Sequence, residues 1–212
     1  MVFDRKFEIK NRTNDSVTFA LELGADLVYP FKVELLVTYS LVGHGLVTEI
    51  SARNLDIKAA PIAFGSHPYL KVEKNSKVEI ACETQMVNDA ASIPTGEEPA
   101  SKNKSVNHLI PNYSELELDD CFTDLRADEN GVSVTKITHA NGEVVELWQD
   151  ATFKYLMVYT HREMKKLGVD ALAIALEPQT APANALNSKT DLIWLAPGES
   201  TVARWGIRVG SK

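Results

Sequence analysis

Cysteine is nearly absent from this chain, which has only Cys82 and Cys121 among 212 residues. Two thiols cannot build the multi-bridge framework of a small secreted domain, and neither sits in a C-x-x-C spacing that would hold zinc. Both read as reduced, structural thiols. Long apolar runs are missing too. No stretch approaches the roughly 18 residues of a membrane-spanning helix, and the start, Met1-Val2-Phe3-Asp4-Arg5-Lys6, carries too short an apolar run for a secretory signal. A cytoplasmic protein is expected. Positive charge is in deficit, 22 Lys and Arg against 29 Asp and Glu, for a net charge of −7. Nucleic acid and membrane surfaces are therefore poor partners, and a neutral or cationic small ligand fits better.

Helical periodicity is also scarce. No such pattern runs long enough to supply βαβ crossovers, so an all-β antiparallel sandwich is the economical architecture. One short helical turn around Arg162–Leu167 is the exception. Without internal repeats, heptads or low-complexity blocks, residues 1–212 read as a single domain. Its 44% apolar and 24% charged content suffices for a core without disulfide or metal staples.

What is present is alternation with period two. Val17, Phe19, Leu21 and Leu23 face one way, while Thr18, Ala20 and Glu22 face the other. Val33, Leu35, Val37 and Tyr39 form a second such face, and Leu46, Thr48, Ile50 and Ala52 a third. Tyr155–Tyr159 reads as an interior strand. Turn chemistry separates the strands at Thr13–Ser16, Val42–Gly45, Asp128–Gly131 and Ala140–Gly142. Asn141-Gly142, between Val132–Thr138 and Glu143–Trp148, predicts a tight primed hairpin in which both residues take positive φ. Asn88–Asn107 has no apolar face and reads as a long surface excursion, either a rim of the site or a floppy insertion. Trp194 and Trp205 are core candidates.

Two side chains stand out chemically. Glu177 follows Ala171-Leu172-Ala173-Ile174-Ala175-Leu176, at the end of an apolar strand, with Pro178 and Pro182 stiffening the backbone beyond it. Desolvation there would raise its basicity. His67 lies between Phe64-Gly65-Ser66 and Pro68, in extended backbone. Taken singly, each has a bland reading: a surface carboxylate before a turn, and a structural imidazole capped by a backbone carbonyl. His44, His108, His139 and His161 lie in turns, loops or just past strands and suggest no role.

Together the two belong to a longer series. TYS and GLVTEISARN (Thr38–Ser40, Gly45–Asn54), FGSHPYL (Phe64–Leu70), PTGE (Pro94–Glu97), LDDCF (Leu118–Phe122), VYT (Val158–Thr160), LEPQTAPANA (Leu176–Ala185) and LAPGES (Leu195–Ser200) resemble, in order, the aldose 1-epimerases, or galactose mutarotases. The resemblance implies a β-sandwich of the galactose mutarotase-like supersandwich type that interconverts the anomers of a free glucose- or galactose-like hexose, without metal or cofactor. It implies Glu177 as general base and His67 as general acid, flanking a common sugar-sized hollow from opposite sides. A working pair needs the carboxylate ionised and the imidazole protonated together, hence a bell-shaped rate profile. Asp119, by its place in LDDCF, corresponds to an aspartate that accepts hydrogen bonds from sugar hydroxyls. Asp120 would face the opposite side of a strand. Tyr159 in VYT lines the sugar site or the core, and Gln179 and Asn184 orient Glu177 or the loop.

The family usually carries, ahead of this region, several strands, a substrate-binding Asn-Arg pair and a second histidine followed by Gly. Here Val2–Phe7 resembles the stretch just after that histidine. The expectation is an incomplete N-terminus, with each lost charge-assisted hydrogen bond weakening sugar binding by ~1.5–3 kcal/mol. An uncovered sheet edge would invite a homodimer. Two other functions compete: a non-catalytic carbohydrate-binding or regulatory module of the same fold, and a hexose-phosphate epimerase. The latter would gather arginines such as Arg53, Arg162 and Arg204 near His67.

Overall fold

A computed structural model describes residues 2, 4–24, 28–106, 112–161 and 171–210. Sixteen strands run through these residues: β1 (Glu8–Arg12), β2 (Ser16–Leu23), β3 (Val33–Val42), β4 (Gly45–Asn54), β5 (Ala60–Ile62), β6 (Tyr69–Val72), β7 (Lys77–Ile80), β8 (Cys82–Asn88), β9 (Pro94–Pro99), β10 (Asp119–Leu125), β11 (Ser133–Thr138), β12 (Val144–Gln149), β13 (Tyr155–His161), β14 (Leu172–Gln179), β15 (Ile193–Leu195) and β16 (Ser200–Val209). They form an eight-stranded sheet in the order β1-β2-β3-β4-β16-β12-β11-β7 and a six-stranded sheet in the order β6-β14-β13-β10-β8-β9. A two-stranded ribbon, β15-β5, completes the set. No helix among the described residues is long and apolar enough to cross a membrane.

The period-two patterns form the strands they predict, because each buries one face and wets or displays the other. On β4 the buried residues are Thr48, Ile50, Ala52 and Asn54, matched on β3 by Val33 and Leu35. The inner face of the eight-stranded sheet adds Val78, Ile137, Leu147 and Trp205. The six-stranded sheet meets it with Leu70, Val72, Phe122, Leu156, Val158, Ile174 and Leu176, all nearly inaccessible. Burying each of the larger of these side chains is worth ~1.5–3 kcal/mol, so the shared core sets the stacking of the sheets. The second face of the six-stranded sheet is left open, and alternation places Tyr69, Asp119, Cys121, Met157, Tyr159 and Glu177 on it.

Three expectations change. The β11–β12 hairpin is present, but only Gly142 takes positive φ, at 82°. Its loop is Ala140–Gly142, closed by Gly142 N–H to His139 C=O at 2.9 Å, while the Asn141 side chain accepts Glu143 N–H at 2.9 Å. One left-handed residue at the end of a three-residue loop does the work assigned to a two-residue primed turn. Second, Asn88–Asn107 is not a plain excursion. It contains β9, which pairs antiparallel with β8, and a 3-10 turn, Ala100–Lys102, whose Ala100 is buried. Third, Trp194 is half exposed, whereas Trp205 is buried as expected. The helical turn expected around Arg162–Leu167 lies outside the described residues, as does His108.

Candidate active site

Strand β14 delivers the carboxylate. Leu176 points into the core, so Glu177 must emerge on the open face, opposite Met157 of β13. Regular pairing of β14 with β6 covers only Leu172–Ala175 with Tyr69–Val72. Beyond it, Phe64–Pro68 continues alongside β14 through separate contacts. Leu176 N–H donates to Pro68 C=O at 3.2 Å, Ser66 N–H to Pro178 C=O at 3.1 Å, and Thr180 N–H to Phe64 C=O at 2.9 Å. Gly65 bridges Gln179. Two prolines are tolerated here because the ladder is already irregular. Ser66 turns inward, where its hydroxyl accepts the Trp205 indole N–H at 2.9 Å, so the next residue, His67, turns outward.

The backbone bonds on either side of residues 67 and 177 thus hold two distant sequence segments side by side. His67 Nε2 lies 3.1 Å from Glu177 Oε1. The Glu177 side chain is 12% exposed and that of His67 53%, so the imidazole faces solvent while the carboxylate is sheltered. Burial pushes the Glu177 carboxyl above its ordinary range. The nearby imidazole pulls it down, and Asp119 pushes it up again, with a net rise. The two groups do not flank a hollow from opposite sides, as the resemblance suggested. They lie adjacent on the open face, with Glu177 opposite Met157 across β13–β14.

A cavity of about 200 Å³ lies on the same face, lined in part by Asn88, Asp119, Cys121, Met157, Gln179 and Pro182; Glu177 and His67 are not in its lining, and Glu177 neighbours it through Met157. Asp119 is exposed and in register with Tyr159 across β10–β13, while Asp120 pairs with Val158 and faces the other way. Tyr159 belongs to an aromatic row on the open face rather than to the core. The His67 ring lies 4.9 Å from Tyr69, Tyr69 lies 5.8 Å from His161, and His161 lies 5.8 Å from Tyr159. Burial and the charges of Glu177 and Tyr159 raise the Tyr69 phenol's pKa.

Gln179 reaches the cavity, but Asn184 does not touch Glu177. Its carboxamide oxygen accepts a hydrogen bond from Asn187, and its backbone is left-handed at φ 61°. Sequence reasoning missed Tyr69 and the sulfur-bearing wall of Met86, Cys121 and Met157. The signal for Tyr69 was present, since it lies two residues past His67 and so on the same face. Arg53 and Arg204 sit on the outer face of the eight-stranded sheet, where Arg204 pairs with Glu49 at 2.7 Å, remote from the cavity. Arg162 lies outside the described residues.

An antiparallel two-sheet sandwich defines the fold class, and solved structures agree. A galactose mutarotase-like protein from Clostridium acetobutylicum superposes with a TM-score of 0.81 over 98% of this chain and 67% of its own, at 18% identity. A GalM/aldose epimerase homologue from C. elegans gives 0.74 over 97% and 69%, also at 18% identity. Identity this low establishes the fold alone. The family model for aldose 1-epimerase matches residues 1–208, and the chain belongs to that family. Among curated proteins, the uncharacterized protein YihR of Escherichia coli K12 is 28% identical over 210 residues. That alignment takes in 92% of this chain and 62% of YihR, so the chain spans less than two thirds of that relative's length.

Proposed function

We propose that this chain is an aldose 1-epimerase that interconverts the α and β anomers of a free, uncharged hexose, with Glu177 as general base and His67 as general acid. The observation that carries this reading is the 3.1 Å contact between Glu177 Oε1 and His67 Nε2 on the open face of the smaller sheet. Adjacency is what the chemistry needs. The anomeric hydroxyl oxygen and the ring oxygen are both bonded to C1, so the groups that exchange protons with them must be neighbours. Glu177 takes the proton from the anomeric hydroxyl as the His67 imidazolium protonates the ring oxygen. The C1–O5 bond breaks, C1 turns about the C1–C2 bond, and reclosure with the roles reversed gives the other anomer. Burial makes Glu177 a stronger base than a solvated carboxylate, and each proton transfer contributes on the order of 10²–10⁴-fold. Asp119 accepts hydrogen bonds from sugar hydroxyls across the cavity, and Tyr159 borders the same bed.

A hexose phosphate is disfavoured by the acidic groups Asp119 and Glu177 and by the placement of Arg53 and Arg204 on the far sheet. Polarimetry of freshly dissolved α-glucose, α-galactose and α-glucose 6-phosphate tests the reading. Accelerated mutarotation of either neutral sugar supports the enzyme, and binding without acceleration indicates a carbohydrate-binding module. Preference for the phosphate would replace the reading with a hexose-phosphate epimerase.

A further inference from the structure

The wall of the cavity holds a feature that anomer exchange does not use. Of the four sulfur side chains among the described residues, three, Met86, Cys121 and Met157, line this one cavity. They also pack together, with Tyr155, as a cluster separate from the main core.

Their placement is fixed by strand register. Cys121 of β10 lies directly opposite Met157 of β13. On the other side of β10, the pairs Phe122 with Gln85 and Thr123 with Thr84 carry Met86 of β8 alongside Cys121. Three adjacent strands, about 4.8 Å apart, therefore present a long, a short and a long sulfur side chain in one row. Two thioethers from the flanks can lean over the shorter central thiol. A trigonal ion with metal–sulfur distances of about 2.3 Å needs its sulfurs about 4 Å apart, which is the contact distance of packed side chains.

We propose that Met86, Cys121 and Met157 form a binding site for a soft monovalent metal ion, Cu⁺ or Ag⁺, on the floor of the cavity. One thiol and two uncharged thioethers suit such an ion and do not suit Zn²⁺, which takes thiolate, imidazole or carboxylate. Nearby Glu177 and Asp119 supply negative potential at the entrance. Cys121 is buried, and a free thiol carries its proton at neutral pH. Binding replaces the S–H bond by an S–metal bond and releases that proton to solvent. The site stands on strand register and side-chain packing and is independent of whether Glu177 and His67 catalyse anything.

The test is calorimetric titration of the intact chain with Ag⁺ in buffers of different ionisation enthalpy, with ¹³C-methyl methionine NMR read in parallel. One ion per chain, release of one proton and shifts of the Met86 and Met157 methyls, assigned by the two leucine variants, are expected. Met86→Leu and Met157→Leu conserve volume and so retain the fold. Each should weaken binding by about tenfold or more, Cys121→Ser should abolish it, and Zn²⁺ should not compete. Unshifted methyls, unchanged affinity in both leucine variants, or several equivalent ions per chain would overturn the site and leave an ordinary apolar wall.

Discussion

Glu177 carries the clearest physical signature of a working residue, a carboxylate placed where ionisation is costly. Its folded-state pKa is raised, so the native state binds more protons than the unfolded chain between the two values. The stability this group contributes is complete below the unfolded value of about 4.3 and is lost as pH rises through the higher folded one. Glu177→Gln removes that dependence. The stability of the native chain relative to Glu177→Gln, from denaturant midpoints, should therefore fall as pH rises from about 4 to 8. A difference independent of pH would contradict the assigned desolvation. Asp119 acts on the same group by raising its pKa. Asp119→Asn should accordingly move the acid limb of the pH–rate profile to lower pH and raise KM; an unmoved limb would deny the electrostatic link. Both residues were legible in the sequence, Glu177 from its place between an apolar run and two prolines, Asp119 from the family pattern. The Glu177–His67 contact was not, because the bonds from Leu176, Ser66 and Thr180 that align the two segments depend on tertiary pairing.

At the scale of elements, the segment after β14 is held by a clamp. Tyr155 O–H donates to Asp191 Oδ2 at 2.7 Å, and Lys154 pairs with the other oxygen of that carboxylate. The lysine hydrogen bond holds Asp191 below the usual carboxylate range, so the clamp persists into mild acid. It spans a stretch with Asn184, Lys189 and Asp191 all at positive φ, around the short helix α1 (Ala185–Ser188), and the same stretch supplies Pro182 and Ala183 to the cavity wall. Backbone in that region survives only where its surroundings fix it. Asp191→Asn should loosen this wall and raise KM about three- to tenfold with kcat little changed, roughly the net contribution of one ordinary hydrogen bond. A fall in kcat at constant KM would place Asp191 elsewhere in the mechanism. Most strands were legible because one buried face imposes alternation. β9 was not. Its sequence, Pro94-Thr95-Gly96-Glu97-Glu98-Pro99, buries almost nothing and is ordered by pairing with β8 alone.

For the whole molecule, eight strands lie against six. At the β1–β3 end, residues of the inner face run out from under cover: Ile9 is 61% exposed, Leu41 64% and Tyr39 38%. The sheet edges are guarded. β1 is a fully exposed run of five residues bearing Glu8, Lys10 and Arg12, with an irregularity between Ile9 and Asn11. β9 begins and ends in proline, and β6 and β7 have four residues each. Such edges resist ladder pairing. We propose that the homodimer expected from the sequence uses the apolar overhang rather than an edge. Light scattering over rising concentration should show association that Leu41→Lys suppresses, and a monomer throughout would count against it. The sandwich itself was legible from alternation and the lack of helical runs. Which face of the smaller sheet stays open was not, since alternation separates two faces without saying which one meets the core.

The account depends most on Glu177 and His67 acting as one unit on one sugar. Initial mutarotation rates by polarimetry for the native chain, Glu177→Gln, His67→Gln and the double variant test this directly. If the two residues share a single proton-exchange step, each single substitution removes about 10²-fold or more, and the double loses little beyond the worse single. Single substitutions that leave the rate intact, or losses that multiply in the double variant, would contradict it.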